Sequence, residues 1–288
     1  MMTISAKDIQ AIRQRTSAGI TDCKKALEEA SGDLEQAVEI LRKKGIAKAD
    51  RRSGRTASEG RIVHAFSPDK KTGVLLELNS ETDFVALNES FGAAAAALAQ
   101  RLLAHGALDG VVREPDGDAF AQSIQEDVKA ISAKTGENVV LRRYARLTTD
   151  GALGSYVHHN GKVAALVEIG GSSSEAAQSL ARIVAEHLAA GVPAVAVSVT
   201  RDGVSPELVA RERRIFEDQA KASGKPDNIV QKMVDGRIAK FYGEVALVEQ
   251  PWVRDDSRTI QSLIDEQGKA CGAALTIRRF VRFQMGED

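Results

Sequence analysis

Apolar residues in the first fifty positions recur at the spacing of amphipathic helices. Ser5 followed by Asp8 resembles a capping box, and Asp33 is placed to cap a later helix. Three apolar stripes result, formed by Ile9 and Ile12, by Ile20, Cys23, Ala26 and Leu27, and by Leu34, Val38 and Leu41. Because each predicted helix has only one apolar face, the three must pack together.

The segment at 48–60, KADRRSGRTASEG, has almost no bulky apolar residue. This composition is typical of a solvated, basic linker. We therefore expect the three-helix module to be separated from the rest of the chain.

The remainder predicts one order of elements twice: strand, strand, helix, helix, strand. The two copies cover 61–147 and 155–283, and their last strands match closely, LRRYARL against IRRFVRF. Asn-Gly at 160–161 predicts a β-hairpin in the second copy. The expected fold class is α+β, with two duplicated lobes that each contain a three-stranded antiparallel sheet and helices.

The second copy is longer than the first because it contains two helical stretches joined at SGKPDN. They predict an antiparallel helical hairpin over 205–237. Its apolar residues can pair between its own arms, without any partner.

The connection after the second strand is longer in the first copy. Leu78 and the matching helix residue Leu98 are twenty positions apart, whereas Ile169 and Leu180 are eleven apart. The additional residues fall in NSETDFVALNESF, which contains Phe84 and Val85. These two residues either pack under their own lobe or form a contact site, since binding residues are common in loops on rigid scaffolds.

Composition and motifs exclude several functions. The chain has 39 basic and 40 acidic residues and a pI of about 6.6, which indicates neither a nucleic-acid partner nor an anionic membrane. Two distant cysteines and no long apolar run favour a cytoplasmic protein. His158 and His159 are adjacent, so in a strand they would point to opposite faces and could not share a metal. With no catalytic or phosphate-binding motif, we expect no enzyme activity, no metal and no cofactor.

Several stretches resemble the bacterial elongation factor Ts family, the nucleotide exchange factors for the GTPase EF-Tu. The resemblance rests on IRQRTSAGITDCKKALEEASGDLEQAVEILRKKG, LNSETDFVALNESF, TGENVVLRRYARL, LGSYVHH and SGKPDNIVQKMVDGRIAKFYGEVALVEQPWV. It implies a UBA-like N-terminal module (1–54 with its linker), an N-lobe (55–150), a C-lobe (151–204 and 238–288) and an inserted hairpin of the dimerisation type (205–237).

The resemblance also implies the partner and its contacts. EF-Tu, GDP-bound or nucleotide-free, is the expected partner, with a 2:2 assembly possible through the hairpin. The contact near its magnesium and nucleotide site is carried over to Thr82, Asp83, Phe84 and Val85, with Phe84 as a wedge. Contacts of the N-terminal module are carried over to Arg13, Ile20, Thr21, Asp22 and Lys24, and those of the C-lobe to His158 and Val253.

Two positions depart from the family's common pattern. Thr21 stands where a large apolar residue is common, and Thr135 where isoleucine is frequent. The turn at 16–30 also fits an ordinary joint between two helices. An alternative function is a non-catalytic adaptor or scaffold that binds other proteins through the three-helix module.

Overall fold

A computed structural model describes residues 4–16, 18–50, 52–106, 108–113, 119–222 and 226–287. The first three helices are α1 (Ala6–Thr16), α2 (Ile20–Glu29) and α3 (Leu34–Asp50). The predicted capping box is confirmed, because the Asp8 amide donates to Ser5 Oγ at 3.1 Å and the Ser5 amide to Asp8 Oδ2 at 3.3 Å. Asp33 caps α3 by accepting from the Gln36 amide at 2.9 Å. The helices share one buried apolar cluster: Ile12, Cys23, Ala26, Leu27, Ala30, Ala37 and Leu41.

A mixed group of strands and helices follows. Its elements are β1 (Glu59–Phe66), β2 (Thr72–Ser80), α4 (Asp83–Leu87), α5 (Glu89–Ala104), β3 (Gly110–Arg113), α6 (Ala119–Thr135) and β4 (Val140–Thr148). The sheet order is β1-β2-β4-β3, so this sheet has four strands and the expectation of three was wrong. The additional strand, β3, pairs antiparallel with β4. With only four residues, it is too short to show an alternating pattern.

The segment expected to be a linker is partly helical. Helix α3 continues to Asp50, and Ala49 near its end is buried. The Asp50 carboxylate pairs with Lys129 of α6 at 2.8 Å. Further on, the Asn138 side-chain amide donates to the carbonyl oxygens of Ser53 and Arg55 at 3.3 and 2.6 Å. The basic segment is therefore attached to the first sheet's helix and loop, rather than fully solvated.

The second sheet has the order β5-β6-β9. Its group comprises β5 (Ala152–Val157), β6 (Val163–Gly170), α7 (Glu175–Ala190), α8 (Pro206–Lys221), α9 (Asp227–Val245), β7 (Pro251–Trp252), β8 (Asp255–Thr259), α10 (Ile260–Cys271) and β9 (Thr276–Gln284). Strands β5 and β6 form the predicted hairpin around Asn160 and Gly161. The short antiparallel pair β7-β8 was not expected from the sequence.

Helices α8 and α9 form the predicted helical hairpin. Its arms enclose a small cluster of Ala220, Val230, Val234 and Ile238, with Phe216, Met233 and Tyr242 packed around it. Ile215 and Ile229 are each 42% exposed. Helix α9 extends to Val245, beyond the expected end of the insert at 237.

The fold is therefore α+β. The chain divides into a first unit (Met1–Ala65, Val74–Arg146 and Gln284–Asp288) and a second unit (Phe66–Gly73 and Leu147–Phe283). Each unit has its own apolar core, one between the first sheet and α5 and α6, the other between the second sheet and α7 and α10. No helix within the described ranges is both long enough and apolar enough to span a membrane.

Candidate partner-binding site

The segment after β2 carries the strongest candidate site, and it begins with a helix cap. Strand β2 is almost entirely buried and ends at Ser80. Thr82 is then the N-cap of α4, and its side-chain oxygen accepts from the Val85 amide at 3.4 Å. Threonine suits this position because its oxygen satisfies an amide that has no partner within the helix. The expected loop is thus a short helix with a defined start.

A second loop, between α6 and β4, fixes the beginning of α4. Glu137 accepts two hydrogen bonds from Thr82, from its amide at 3.1 Å and from its hydroxyl at 2.5 Å. In the opposite direction, the Asn138 amide donates to Glu81 Oε1 at 2.6 Å. Because hydrogen bonds to carboxylates are stronger than those between neutral groups, these contacts restrict the turn.

The other end of α4 is fixed as well. Asn88 ends this helix and caps α5, accepting from the Ser90 amide at 2.8 Å. Arg61 of β1 donates to the Leu87 carbonyl at 3.2 Å. The single helical turn is therefore held at both ends by the first unit.

The side chains of α4 point in two directions. Ala86 is buried and Val85 packs against the core of the first unit. Phe84 is 84% exposed and Leu87 is 65% exposed, while Asp83 is also exposed. Of the two alternatives stated for Phe84 and Val85, core packing holds for Val85 only. Phe84 does not pack under its own unit. An exposed phenylalanine on a fixed turn is an apolar surface available to a partner.

The residues predicted for the N-terminal contact lie on the outside of α1 and α2. Ile20 is 59% exposed, and Arg13, Thr21 and Lys24 are also exposed, whereas Asp22 is half-buried. On α2 the inward positions are Cys23, Ala26 and Leu27. Burial raises the pKa of the Cys23 thiol, which fits a packing role for that residue. Among the residues predicted for this contact, Ile20 is thus the one apolar side chain, and the others are polar.

In the second unit, Tyr156 interacts with His158 and also, electrostatically, with Arg254, the residue after Val253. The His158 Nδ1 is 3.2 Å from the Tyr156 hydroxyl. Arg254, next to Val253, binds Glu186 at 2.6 Å, and its pKa is raised first by that carboxylate and to a smaller extent by Tyr156. Val253 itself is 39% exposed.

The position of Val253 depends on a buried histidine. Its amide donates to His187 Nδ1 at 3.3 Å, so that nitrogen is the acceptor and Nε2 carries the proton toward Gln250 Oε1 at 2.9 Å. Gln250 in turn donates to the carbonyl oxygens of Ala194 and Glu244 at 2.9 and 2.5 Å. Burial lowers the pKa of His187, while the bond to Gln250 opposes this. Burial and donation by the Val253 amide favour the neutral ring, and the network holds the turn after β7.

One expectation about histidines was wrong. His158 and His159 lie beyond the end of β5, so strand alternation does not separate them, and their ring centroids are 4.2 Å apart. In the part of the chain that the structure describes, no three His, Cys, Asp or Glu side chains are grouped so that they could hold a metal ion.

Sequence reasoning missed the residues that hold α4, namely Glu81, Glu137 and Arg61. The one available signal was the resemblance of TGENVVLRRYARL to a known family, which marked the region of Glu137 without assigning it a role. The departure at Thr135 also has a local explanation, because its hydroxyl donates to the Ile131 carbonyl at 3.0 Å at the end of α6.

Comparison with known proteins adds the family. The family model described as Elongation factor TS matches residues 81–287. Proteins named Elongation factor Ts are similar to nearly the whole chain. The one from Clostridium botulinum (strain Alaska E43 / Type E3) is 44% identical over 99% of this chain and 93% of its own length. Those from Prosthecochloris aestuarii and Nitratidesulfovibrio vulgaris (strain DP4) are 41% and 42% identical, covering 99% and 100% of this chain and 100% and 97% of their own lengths.

These matches place the chain among the translation elongation factors. Within that class, it belongs to the elongation factor Ts family.

Proposed function

We propose that the chain promotes GDP-to-GTP exchange on EF-Tu by binding it and disturbing its magnesium and phosphate site. It acts by contact and carries out no chemical reaction of its own. The observation that carries this proposal is the exposure of Phe84, at 84%, on a helical turn fixed at both ends in a member of this family. An apolar side chain on a fixed turn enters a partner at a smaller entropy cost, because the backbone that carries it is already ordered.

The size of the contact is adequate for a substantial part of the effect. Burying one phenylalanine side chain contributes about 1.5–3 kcal/mol. Since each 1.36 kcal/mol changes a rate by about tenfold, the wedge alone accounts for roughly ten- to a hundredfold. Linkage also requires that GDP weaken the binding of this protein to EF-Tu by the same factor by which this protein weakens GDP binding.

The remaining contacts follow the same proposal. The UBA-like N-terminal module binds EF-Tu through Arg13, Ile20, Thr21, Asp22 and Lys24, and the second unit binds it through His158 and Val253. The exposure of Ile20 and Val253 supports these assignments. A 2:2 assembly through the helical hairpin is the accompanying hypothesis, supported by the exposed apolar surface of Ile215 and Ile229. The proposed compartment is the cytoplasm.

The test is Phe84→Ala, assayed by release of a fluorescent GDP analogue from purified EF-Tu. We expect catalysed release to slow by at least about tenfold, because the wedge is lost. The melting temperature should change by only a few degrees, since the side chain is exposed in the free protein.

The matched control is Val111→Ala, which shortens a 46% exposed side chain on β3 of the same unit. It should leave exchange unchanged. Full activity of Phe84→Ala would contradict the wedge. Absence of any exchange by the unaltered chain would contradict the proposed function itself.

A further inference from the structure

A cleft separates the three-helix module from α6 within the first unit. It has a volume of 770 Å³, with walls formed by α1, α2 and α3 on one side and by α6 on the other. The walls touch at Gly45 of α3, where an added Cβ would lie 3.0 Å from the Cβ of Ala133. The Asp50–Lys129 ion pair also joins them. The cleft is thus built by packing and is present without a ligand.

The charge that lines this cleft is strongly one-sided. Six of the described lining residues are basic: Arg15, Lys25, Arg42, Lys44, Arg52 and Lys134. Asp22 is the single acidic residue among the described lining positions. Its presence on the rim leaves a clear excess of positive charge, although the whole chain has a net charge of −1.

Most of these cations are not neutralised by neighbours. Arg15 pairs with Glu35 at 2.7 Å and Lys44 with Glu29 at 2.5 Å. Lys25, Arg42, Arg52 and Lys134 have no ion-pair partner among the residues that the structure describes. Like charges gathered in a concave surface repel each other, so an anion that enters relieves this repulsion.

Arg52 supplies a second, independent indication. Its Nη1 atom is buried and has no hydrogen-bond partner among the residues that the structure describes. An unsatisfied buried donor costs free energy, and a planar guanidinium suits a carboxylate or phosphate. Because Nη1 is shielded from solvent, it reaches a carboxylate only when the Arg52 side chain turns into the cleft that this residue lines.

The cleft also has an apolar component. Val38, Leu41 and Ile46 of α3 line it, together with small residues such as Ala130 and Gly136 that leave the space open. Apolar contacts beside cations fit a ligand that combines carboxylates with apolar side chains. No aromatic residue lines the cleft among the described positions, so it has no surface on which a nucleic-acid base could stack.

We infer that this cleft binds an acidic, partly apolar peptide segment of a protein partner. Charge complementarity selects the acidic residues, and the half-buried Val38 and Ile46 select the apolar ones. Phe84 takes no part in this site, whereas Asp22 lines the cleft and also belongs to the proposed EF-Tu contact. The inference therefore adjoins the proposed function, and peptide binding and GDP release are measured separately.

The probe is a short fluorescein-labelled peptide in which Glu and Leu residues alternate with Ser, measured by fluorescence anisotropy with the full chain. Two comparison probes replace Glu by Gln or Leu by Ser, and a third is a single-stranded RNA of similar length. The cleft variant is Arg42→Gln with Lys134→Gln, one change on each wall. The control with the same change of charge is Lys7→Gln with Lys232→Gln, at exposed positions outside the lining.

We expect the cleft variant to bind the Glu-Leu peptide at least about tenfold more weakly and the control within about twofold of the unaltered chain. Arg52→Gln should weaken binding as well, and Phe84→Ala should not. Both altered peptides should bind more weakly than the original. Equal loss in the control, failure of the peptide to bind, or tighter binding of the RNA would overturn the inference. Thermal melts of each variant identify any loss that comes from unfolding.

Discussion

The two units connect their middle strand to the following helix in different ways. Between β6 and α7 lie residues 171–174, and Ser174 caps the helix directly. Between β2 and α5 lie residues 81–88, which include the whole of α4. The count between matching leucines attributed nine additional positions to this connection. Four of them lie in the connection that contains α4, four in a longer first part of α5, and one at the end of β2.

Each connection contacts the turn before the last strand of its sheet. In the second unit, Gly171 has φ of +95°, and a Cβ there would lie 2.0 Å from the Ala274 carbonyl, so backbone meets backbone. In the first unit the corresponding contacts come from side chains, with Glu137 binding Thr82 and Glu81 binding the Asn138 amide. The same junction is closed by small residues in one unit and by carboxylates in the other. In the first unit, the carboxylate contacts lie at the start of α4, the turn that presents Phe84.

In each unit an ion pair joins a central strand to the last strand of the sheet. The two ion pairs differ in how deeply the arginine is buried. Glu77 of β2 meets Arg143 of β4 at 2.7 Å, with side chains 1% and 5% exposed. Burial raises the pKa of Glu77, and Arg143 opposes the shift. Glu168 of β6 meets Arg279 of β9 at 2.6 Å, but there the arginine is 36% exposed. Water can therefore solvate the cation in the second unit.

The largest expected effect compares Glu77→Ala with Glu168→Ala. Glu77→Ala leaves Arg143 buried without its carboxylate, which costs about 3–5 kcal/mol. Glu168→Ala should cost less, about 1.5–3 kcal/mol, because the partly exposed arginine recovers hydration. Urea unfolding by circular dichroism measures both, and fluorescence of Trp252, the only tryptophan, reports the second unit. An equal or larger loss in Glu168→Ala would remove the distinction.

Helices of several turns, and elements that recur in the same order along the chain, were predictable from the sequence. The caps at Ser5 and Asp33, the hairpin at 160–161 and the paired helices α8 and α9 all follow from local patterns. Strand β3 and the β7-β8 pair were missed because two to five residues contain too little periodicity. The linker was predicted to begin too early because Ala49, which is buried near the end of α3, is too small to mark a core position within a basic segment.

The site was only partly predictable for a different reason. Comparison of connection lengths identified the segment of Phe84, and the exposure of that residue agrees with a contact surface. Glu137, which fixes the segment, is 55 positions from Thr82 in sequence. Such a contact depends on how two loops meet at one end of a sheet, which no local pattern encodes.

A double-mutant cycle tests whether Glu137 acts through α4. Glu137→Ala replaces this carboxylate by alanine, the residue type that precedes β9 at positions 273 and 274 in the second unit. We expect exchange to fall about three- to tenfold, because the turn loses two hydrogen bonds to a carboxylate. In a Phe84→Ala background the same change should add almost nothing. Glu126→Ala, at an exposed position on α6, is the control. Additive effects would mean that Glu137 contacts the partner independently.

The buried His187 predicts a pH dependence in the second unit. Its pKa in the folded state is lowered by burial, whereas an unfolded histidine has a pKa of about 6.5. At a pH above about 6.5, His187 is neutral in both the folded and the unfolded protein. As the pH falls below it, the unfolded state binds the proton first, so stability decreases by up to about 1.36 kcal/mol per pH unit until the folded pKa is reached. Trp252 fluorescence during urea unfolding between pH 7 and 5 measures this.

The control for that experiment is His187→Gln, which removes the titrating ring and retains a side chain able to hydrogen-bond. It should lower stability at pH 7 and show a smaller dependence on pH. The same slope in both proteins would assign the effect to other groups.

The smallest expected effect concerns the helical hairpin, for which the described part of the first unit has no counterpart. Arg213 pairs with Asp235 at 3.1 Å well along the arms, whereas the Arg201 guanidinium lies 5.0 Å from the Tyr242 ring near the base. A deletion of 206–241 with a short Gly-Ser bridge removes most of both arms and keeps Arg201 and Tyr242 at the base. Because the arms enclose their own cluster, the core of the second unit does not need them.

The rate of exchange on EF-Tu should stay within about twofold of the unaltered chain, since a change at a surface distant from the contact has little effect. Solution mass, measured in parallel, shows whether self-association is lost. A folded deletion variant with nearly no exchange would instead show that the hairpin binds EF-Tu, and the contrast between the units would then lie in two binding elements rather than one.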